Sequence, residues 1–232
     1  VGVTCNTLAA LDYSLNAMPV SFTVRRILQQ RTIDQAEALI RESRHSCGQN
    51  YILSSAHAVR CFECSATSVE AYHPDNHPSR IFHTNHPLTK PAERVAAEKQ
   101  QQPGASSMAR LDSITERLGC GNSQPSLADI KSALAAHDNQ SYPVSRQLNK
   151  QNLHDVIGYT AGSSIYEFGQ HTRLHFAPGP PCSTEYITVD FKNHDTHKSR
   201  SSLVKDMQRW NYTVEQKINI GNLDPINTTY AD

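Results

Sequence analysis

Apolar positions in the first part of the chain switch period twice. Residues 1–8 (VGVTCNTL) are β-branched, start abruptly, and suit the end of a strand whose hairpin partner lies upstream. Pro19 then suits a first helical turn, and Val20, Val24, Ile27 and Leu28 recur on one helical face. A second helix starts at Thr32, where Gln35 three residues on completes a capping-box pattern, and carries the stripe Ile33, Ala36, Leu39 and Ile40. Only Arg31 and Thr32 separate the two helices, so they should pack as neighbours on one side of a sheet. The period then falls to strand spacing over residues 50–55, 59–65 and 67–72, with short polar connections that suit an antiparallel meander. A loop at 74–78 leads to a predicted fourth strand at 80–88, which ends in His83-Thr84-Asn85-His86 and is closed by Pro87.

Residues 89–106 are polar, with Pro91, Pro103, Gly104 and a glutamine run, and read as an exposed connection. Met108, Leu111, Ile114 and Leu118 mark a third helix; Ser126 with Asp129 opens a fourth with the stripe Leu127, Ile130 and Leu134. Strands return at 164–168, 172–176 and 185–191, broken by Pro178-Gly179-Pro180-Pro181. Helices followed by runs of strands indicate an α+β fold with antiparallel sheet. From Lys192 hydrophobic content falls; residues 192–232 read as a polar extension, solvated or disordered at 192–202, with one short helix around 203–210. The organisation is thus one domain over 1–191 and a polar tail over 192–232.

Composition narrows the function classes. Lys and Arg (22) balance Asp and Glu (22), so no global field draws the chain to nucleic acid or anionic membrane. No apolar run approaches the roughly 20 residues of a membrane span. Six cysteines in 232 residues are too few for a disulfide scaffold, and Cys61 and Cys64, in a strand-like run, face opposite ways. No secretory signal is visible in the sequence shown, which favours the cytoplasm slightly; the sequons at Asn139, Asn211 and Asn227 leave secretion open. His73, His77, His83 and His86 have no Asp, Glu or Cys at metal-ligand spacing, so they read as orienting or hydrogen-bonding groups. Neither metal nor cofactor is expected. Glu63, Asp129 and Asp138 read as edge or helix-surface charges.

Three features occur in order: the strand end Gly2-Val3 with Asn6 and Leu8, the Pro-initiated helix running into a Thr-capped one containing Ala36-Glu37-Ala38, and strands reaching Asn50-Tyr51-Ile52-Leu53 and then His83-Thr84-Asn85-His86. In this order and spacing the chain resembles the isopenicillin-N acyltransferase-like family of autoproteolytic cysteine N-terminal-nucleophile hydrolases. The likeness is good over residues 1–88 and looser to about Phe191. It implies an αββα four-layer sandwich, here incomplete at its N-terminus. It also implies a precursor that cuts itself before a cysteine, whose α-amine then serves as base for its own thiol. An α-amine near pKa 8 is a usable base at neutral pH, and a thiol is readily activated. In such a family the nucleophile would precede Gly2-Val3 by many dozens of residues, and would lie upstream of Val1. Cys5, at a strand end before a helix, reads as an ordinary thiol.

The resemblance also assigns roles. Asn85 would donate its amide into the oxyanion formed on thiolate attack, against a plainer reading as a turn residue before Pro87. Asn6 matches a second polar position beside the nucleophile, its plainer reading a cap. Arg146 follows Tyr142-Pro143-Val144-Ser145, near where the family carries an arginine for the substrate carboxylate; a surface arginine is the alternative. The implied activity is hydrolysis or acyl transfer on a small-molecule amide or acyl-thioester through an acyl-enzyme, with the N-terminal segment or cleaved subunit as a further partner. Two rivals stand beside it: a non-catalytic or degenerate homologue acting at most as a ligand-binding module, and an unrelated α+β hydrolase.

Overall fold

A computed structural model describes residues 1–74, 80–119, 124–147 and 158–191 of the 232. The polar tail at 192–232, its short helix at 203–210 and most of the loop at 74–78 lie outside the described residues. The fold is mixed α/β, with five helices and two antiparallel sheets among the described residues.

Strand β1 (Gly2–Thr7) is followed by helices α1 (Val20–Leu28) and α2 (Ile33–Glu42), then by strands β2 (Gln49–Ser54), β3 (Val59–Cys64) and β4 (Val69–Tyr72). These strands form one antiparallel sheet in the order β1-β2-β3-β4. Both helices cover one face of it, as their stripes require. Ile27, Ala36, Leu39 and Ile40 pack on Tyr51, Leu53, Phe62 and Cys64, all buried, with Val20, Val24 and Ile33 at the margin. Leu28 is the exception, 55% exposed, and Thr23 takes the buried place on α1. Thr32 caps α2 by accepting from the Gln35 amide, 3.2 Å away, while Gln35 reaches back to the Arg31 amide. Arg60 of β3 forks onto Asp34 and Glu37 of α2, at 2.7 and 2.6 Å, and pins the helix to the sheet.

The opposite face of this sheet carries the chemistry. Because side chains alternate, Asn6, Asn50, Glu63 and Glu70 stand in one row across the four strands. Glu63 is therefore not an edge charge. It is 1% exposed, in the third of four strands.

Beyond Tyr72 the structure departs from the sequence reading. Residues 80–88 form no strand; the sheet's fourth strand is β1, and 80–88 crosses the polar face as irregular chain. Its backbone donors find side chains instead of a ladder: Glu63 takes the amides of Leu88 and Thr89, and Ser107 takes that of Asn85. The connection at 89–106 is also partly helical. Helix α3 (Lys90–Glu98) has Pro91 in its first turn and buries Ala92 and Ala96; Ala92 packs on Leu8 and Leu11.

Helix α4 (Ala105–Gly119) stands where predicted but turns differently: Ser107, Ser113, Leu118 and Gly119 are buried and Met108 is 46% exposed. Helix α5 (Leu127–Leu134) opens on the predicted cap, a full capping box of Ser126 and Asp129. Strands β5 (Ser163–Glu167), β6 (Arg173–Ala177) and β7 (Ile187–Asp190) make the second antiparallel sheet.

Gly48, just before β2, fixes the end of β1. Leu8 donates its amide to the Gly48 carbonyl at 2.9 Å, and a methyl group at Gly48 would sit 2.1 Å from the Leu8 carbonyl oxygen. That neighbour is backbone and cannot step aside. Gly48→Ala should cost roughly 1–3 kcal/mol, seen as a lower urea midpoint at unchanged slope.

Candidate functional site

The site lies where the end of β1, the segment 80–89 and the first turns of α4 converge on the polar face of the first sheet. Its base is the Glu63 carboxylate, whose side chain is wholly buried, as is that of His83. Glu63 accepts from His83 Nε2 at 2.8 Å, the Leu88 amide at 2.6 Å, the Thr89 amide at 2.9 Å and the Thr89 hydroxyl at 2.6 Å. Burial alone would raise its pKa. The bonds from His83, Thr89 and Leu88 outweigh burial and hold it below the ordinary value. With its hydroxyl on Glu63, Thr89 opens α3 without a side-chain cap of its own.

Glu63 orients the His83 ring, which lies edge-on to Tyr72, with ring centres 6.2 Å apart. On its other side His83 Nδ1 lies 2.8 Å from Asn6 Nδ2, and Asn6 Nδ2 also donates to the Thr84 carbonyl. Asn6 is thus not a helix cap; it joins β1 to the His83-Thr84 backbone.

The next residues knit the segment to α4. Thr84 donates its hydroxyl to the Ser107 carbonyl at 2.9 Å and accepts from the Ser107 hydroxyl at 3.0 Å. Ser107 Oγ also lies 2.8 Å from His86 Nδ1. Burial, followed by the nearby His83, lowers the His86 pKa, which favours the neutral ring in this pocket. His83 and His86 therefore serve as hydrogen-bonding groups pointing to different sides, one to Glu63 and one to Ser107.

Asn85 sits between β1 and α4. Its Nδ2 donates to the Thr7 carbonyl at 3.2 Å, and its Oδ1 accepts from Arg110 Nη2 at 3.0 Å. Arg110 Nε donates to the Ser106 carbonyl at 3.1 Å and lies 3.4 Å from the Ser106 hydroxyl. The same hydroxyl accepts from Arg146 Nη2 at 2.7 Å. Arg146 is held by its own backbone, its amide donating to the Thr160 hydroxyl at 2.9 Å and its carbonyl accepting from the Thr160 amide at 3.0 Å. The two guanidiniums line one cavity of about 250 Å³, floored by Ser106 and walled by Tyr159 and Thr160.

All three residues singled out from sequence therefore meet in one hydrogen-bonded network: Asn6 through His83 and Thr84, Asn85 directly, and Arg146 through Ser106 and Arg110. Sequence reading missed Glu63, Ser106, Ser107 and Arg110. Glu63 did leave a signal, as a lone charge inside the apolar strand run Cys61-Phe62-Glu63-Cys64. Cys5 stays outside this network. It is exposed on β1, and partial desolvation of its sulfur lifts its thiol pKa, the wrong direction for an activated nucleophile. Burial pushes the Cys61 thiol up to about 12 and raises that of Cys64 as well, so neither is reactive.

Among curated proteins, none matches the chain. A family model described as "Acyl-coenzyme A:6-aminopenicillanic acid acyl-transferase" matches residues 2–171, a span that takes in Asn6, Glu63, His83, Asn85, Arg110 and Arg146. This family suggests acyltransferase or hydrolase activity. The match agrees with the resemblance carried by the strand end, the helix pair and His83-Thr84-Asn85-His86, and it spans well over half of the sequence. On that ground the chain belongs to the acyl-coenzyme A:6-aminopenicillanic acid acyl-transferase family.

Proposed function

We propose that this chain supplies the oxyanion and substrate-binding half of an amide-bond hydrolase or acyltransferase whose nucleophile is an N-terminal cysteine upstream of Val1. The domain would be residues 1–191, folded as an αββα sandwich. In support, Gly2 of β1 lies so close to Phe168, just past β5, that a side chain at Gly2 would collide with the ring. The observation that carries the reading is the single network joining Asn6, Asn85 and Arg146.

The chemistry follows from donor placement. The cysteine α-amine takes the thiol proton, and the thiolate adds to the acyl carbonyl of a small-molecule amide or thioester. Negative charge moves to the carbonyl oxygen, where the Asn85 amide has one N–H on Thr7 and a second left to donate. Asn6 steadies the adjoining backbone. Collapse expels the amine or thiol, which leaves with the proton held by the α-ammonium. Water or an amine then attacks the acyl-enzyme, losing its proton to the same α-amine. Arg146 would hold a carboxylate of the substrate or acceptor.

The test is a full-length precursor, followed by mass spectrometry for self-cleavage and for labelling by a thiol-reactive acyl probe. Cleavage that leaves a free N-terminal cysteine, together with one acyl adduct on it, is the expected result. A precursor that neither cleaves nor labels sinks the proposal in favour of a non-catalytic ligand-binding homologue.

A further inference from the structure

We propose that Arg110 couples the arginine-lined cavity to the acyl site: it is the positioning residue that fixes the Asn85 amide and, with Arg146, a second cation for a carboxylate on the substrate. The inference rests on the reading of Asn85 given above and extends it to a residue to which no role has been assigned.

Hydrogen-bond logic makes the orientation unambiguous. A guanidinium only donates and a peptide carbonyl only accepts. Asn85 lies between one of each, Arg110 Nη2 at 3.0 Å and the Thr7 carbonyl at 3.2 Å. Its oxygen must face Arg110 and its nitrogen must face β1. Without Arg110, the 3.2 Å bond to the Thr7 carbonyl is left alone to keep the amide from turning over and presenting an oxygen where a donor is needed.

The cavity side is as specific. Arg110 and Arg146 share the Ser106 hydroxyl, and both line the same space of about 250 Å³. Neither makes an ion pair among the described residues, and the buried Arg146 Nε has no hydrogen-bond partner there. Burial, then the charge of Arg146, lowers the Arg110 pKa, as expected for two cations brought together without a counter-charge. A carboxylate in this cavity would balance both guanidiniums and satisfy donors that now lack acceptors. It would also hold Arg110 in the pose that orients Asn85, so an anionic substrate would tighten the oxyanion donor as it binds.

Acetate titrated into the 232-residue chain, followed by side-chain amide and guanidinium NMR, tests this directly. Saturable shifts of the Arg110, Arg146 and Asn85 side-chain signals are expected. Arg110→Gln should move the Asn85 amide pair even without acetate and weaken acetate binding by at least about tenfold, the worth of one charge-assisted hydrogen bond. Arg110→Lys keeps the charge and the aliphatic stem, so it decides the matter if the glutamine variant fails to fold: it should bind acetate yet leave the Asn85 amide displaced. An Asn85 amide that ignores both acetate and the loss of Arg110 overturns the proposal. In the full-length enzyme, Arg110→Gln should lower kcat and raise KM for an anionic substrate, with KM for its neutral methyl ester little changed. If Asn85→Ala impairs turnover but the Arg110 variants do not, only the coupling is wrong. If Asn85→Ala has no effect, the oxyanion reading fails as well.

Discussion

Glu63→Ala should be among the most destabilising single substitutions in this chain, costing on the order of 3–5 kcal/mol, because each buried donor left without its acceptor costs about 1–3 kcal/mol. Four donors now converge on the carboxylate: His83 Nε2, the Leu88 and Thr89 amides and the Thr89 hydroxyl. Alanine leaves all of them buried and unanswered. Glu63→Gln keeps the shape and one acceptor oxygen, so its cost should be smaller, roughly 1.5–3 kcal/mol for charge-assisted bonds lost. For a chain of this size the larger loss lowers the melting temperature by on the order of 10 °C. A ranking of wild type above glutamine above alanine in thermal melts is the expected outcome. Equal stability for all three would mean that the carboxylate organises nothing.

The pH dependence follows from the same bonds. Because the folded-state pKa of Glu63 lies below its ordinary value, its ionisation contributes stability that is complete above about pH 4.3, the value in an unfolded chain. That contribution is lost as pH falls through the lower, folded pKa. Asp12, Glu37, Asp129 and Asp138 are also held low by their partners, so the wild type destabilises in acid for several reasons at once. The difference between wild type and Glu63→Gln isolates one of them. It should be constant at neutral pH and shrink below about pH 4.3.

This buried carboxylate also marks the limit of what the sequence made legible. Periodicity located α1, α2, their shared face and the β2-β3-β4 meander, because α1, α2, β2 and β3 bury residues at regular spacing and β4 lays Val69 and Ala71 against the same core. The α5 cap was legible for a local reason: Ser126 and Asp129 bond to each other's backbone. The segment 80–88 was misread as a strand because being a strand depends on a ladder partner, and its own residues cannot say whether that partner exists. Here the side chains of Glu63 and Ser107 take backbone donors that a neighbouring strand would have met. Helix α3 was hidden by the small size of Ala92 and Ala96, which bury against their surroundings without looking apolar in a polar stretch. The candidate residues Asn6, Asn85 and Arg146 were found by likeness to a family. Arg110 and Ser106, which connect two of them, carry no pattern in sequence and become visible only as distances.

On the function proposed above, Asn85→Ala should lower kcat of the enzyme cut from the precursor by about 10²–10³, equivalent to roughly 2.7–4 kcal/mol of barrier, with KM little changed. The split between the two constants is what distinguishes an oxyanion donor from a turn residue. A donor that strengthens only as charge develops on the carbonyl oxygen is absent from the ground state and so leaves KM alone. The competing reading makes Asn85 a structural group whose amide joins β1 to α4. That reading predicts the reverse: a chain destabilised by about 1 kcal/mol for each lost hydrogen bond and a kcat close to wild type. Among the described residues the side chain makes two such bonds, to Thr7 and Arg110, and the residue is exposed, so melts should move little. Asn85→Asp separates the two readings further. A carboxylate would still accept from Arg110, preserving the link to α4, but would place negative charge beside the developing oxyanion. Turnover should then fall at least as far as in the alanine variant while the fold holds, an outcome that a purely structural asparagine cannot produce.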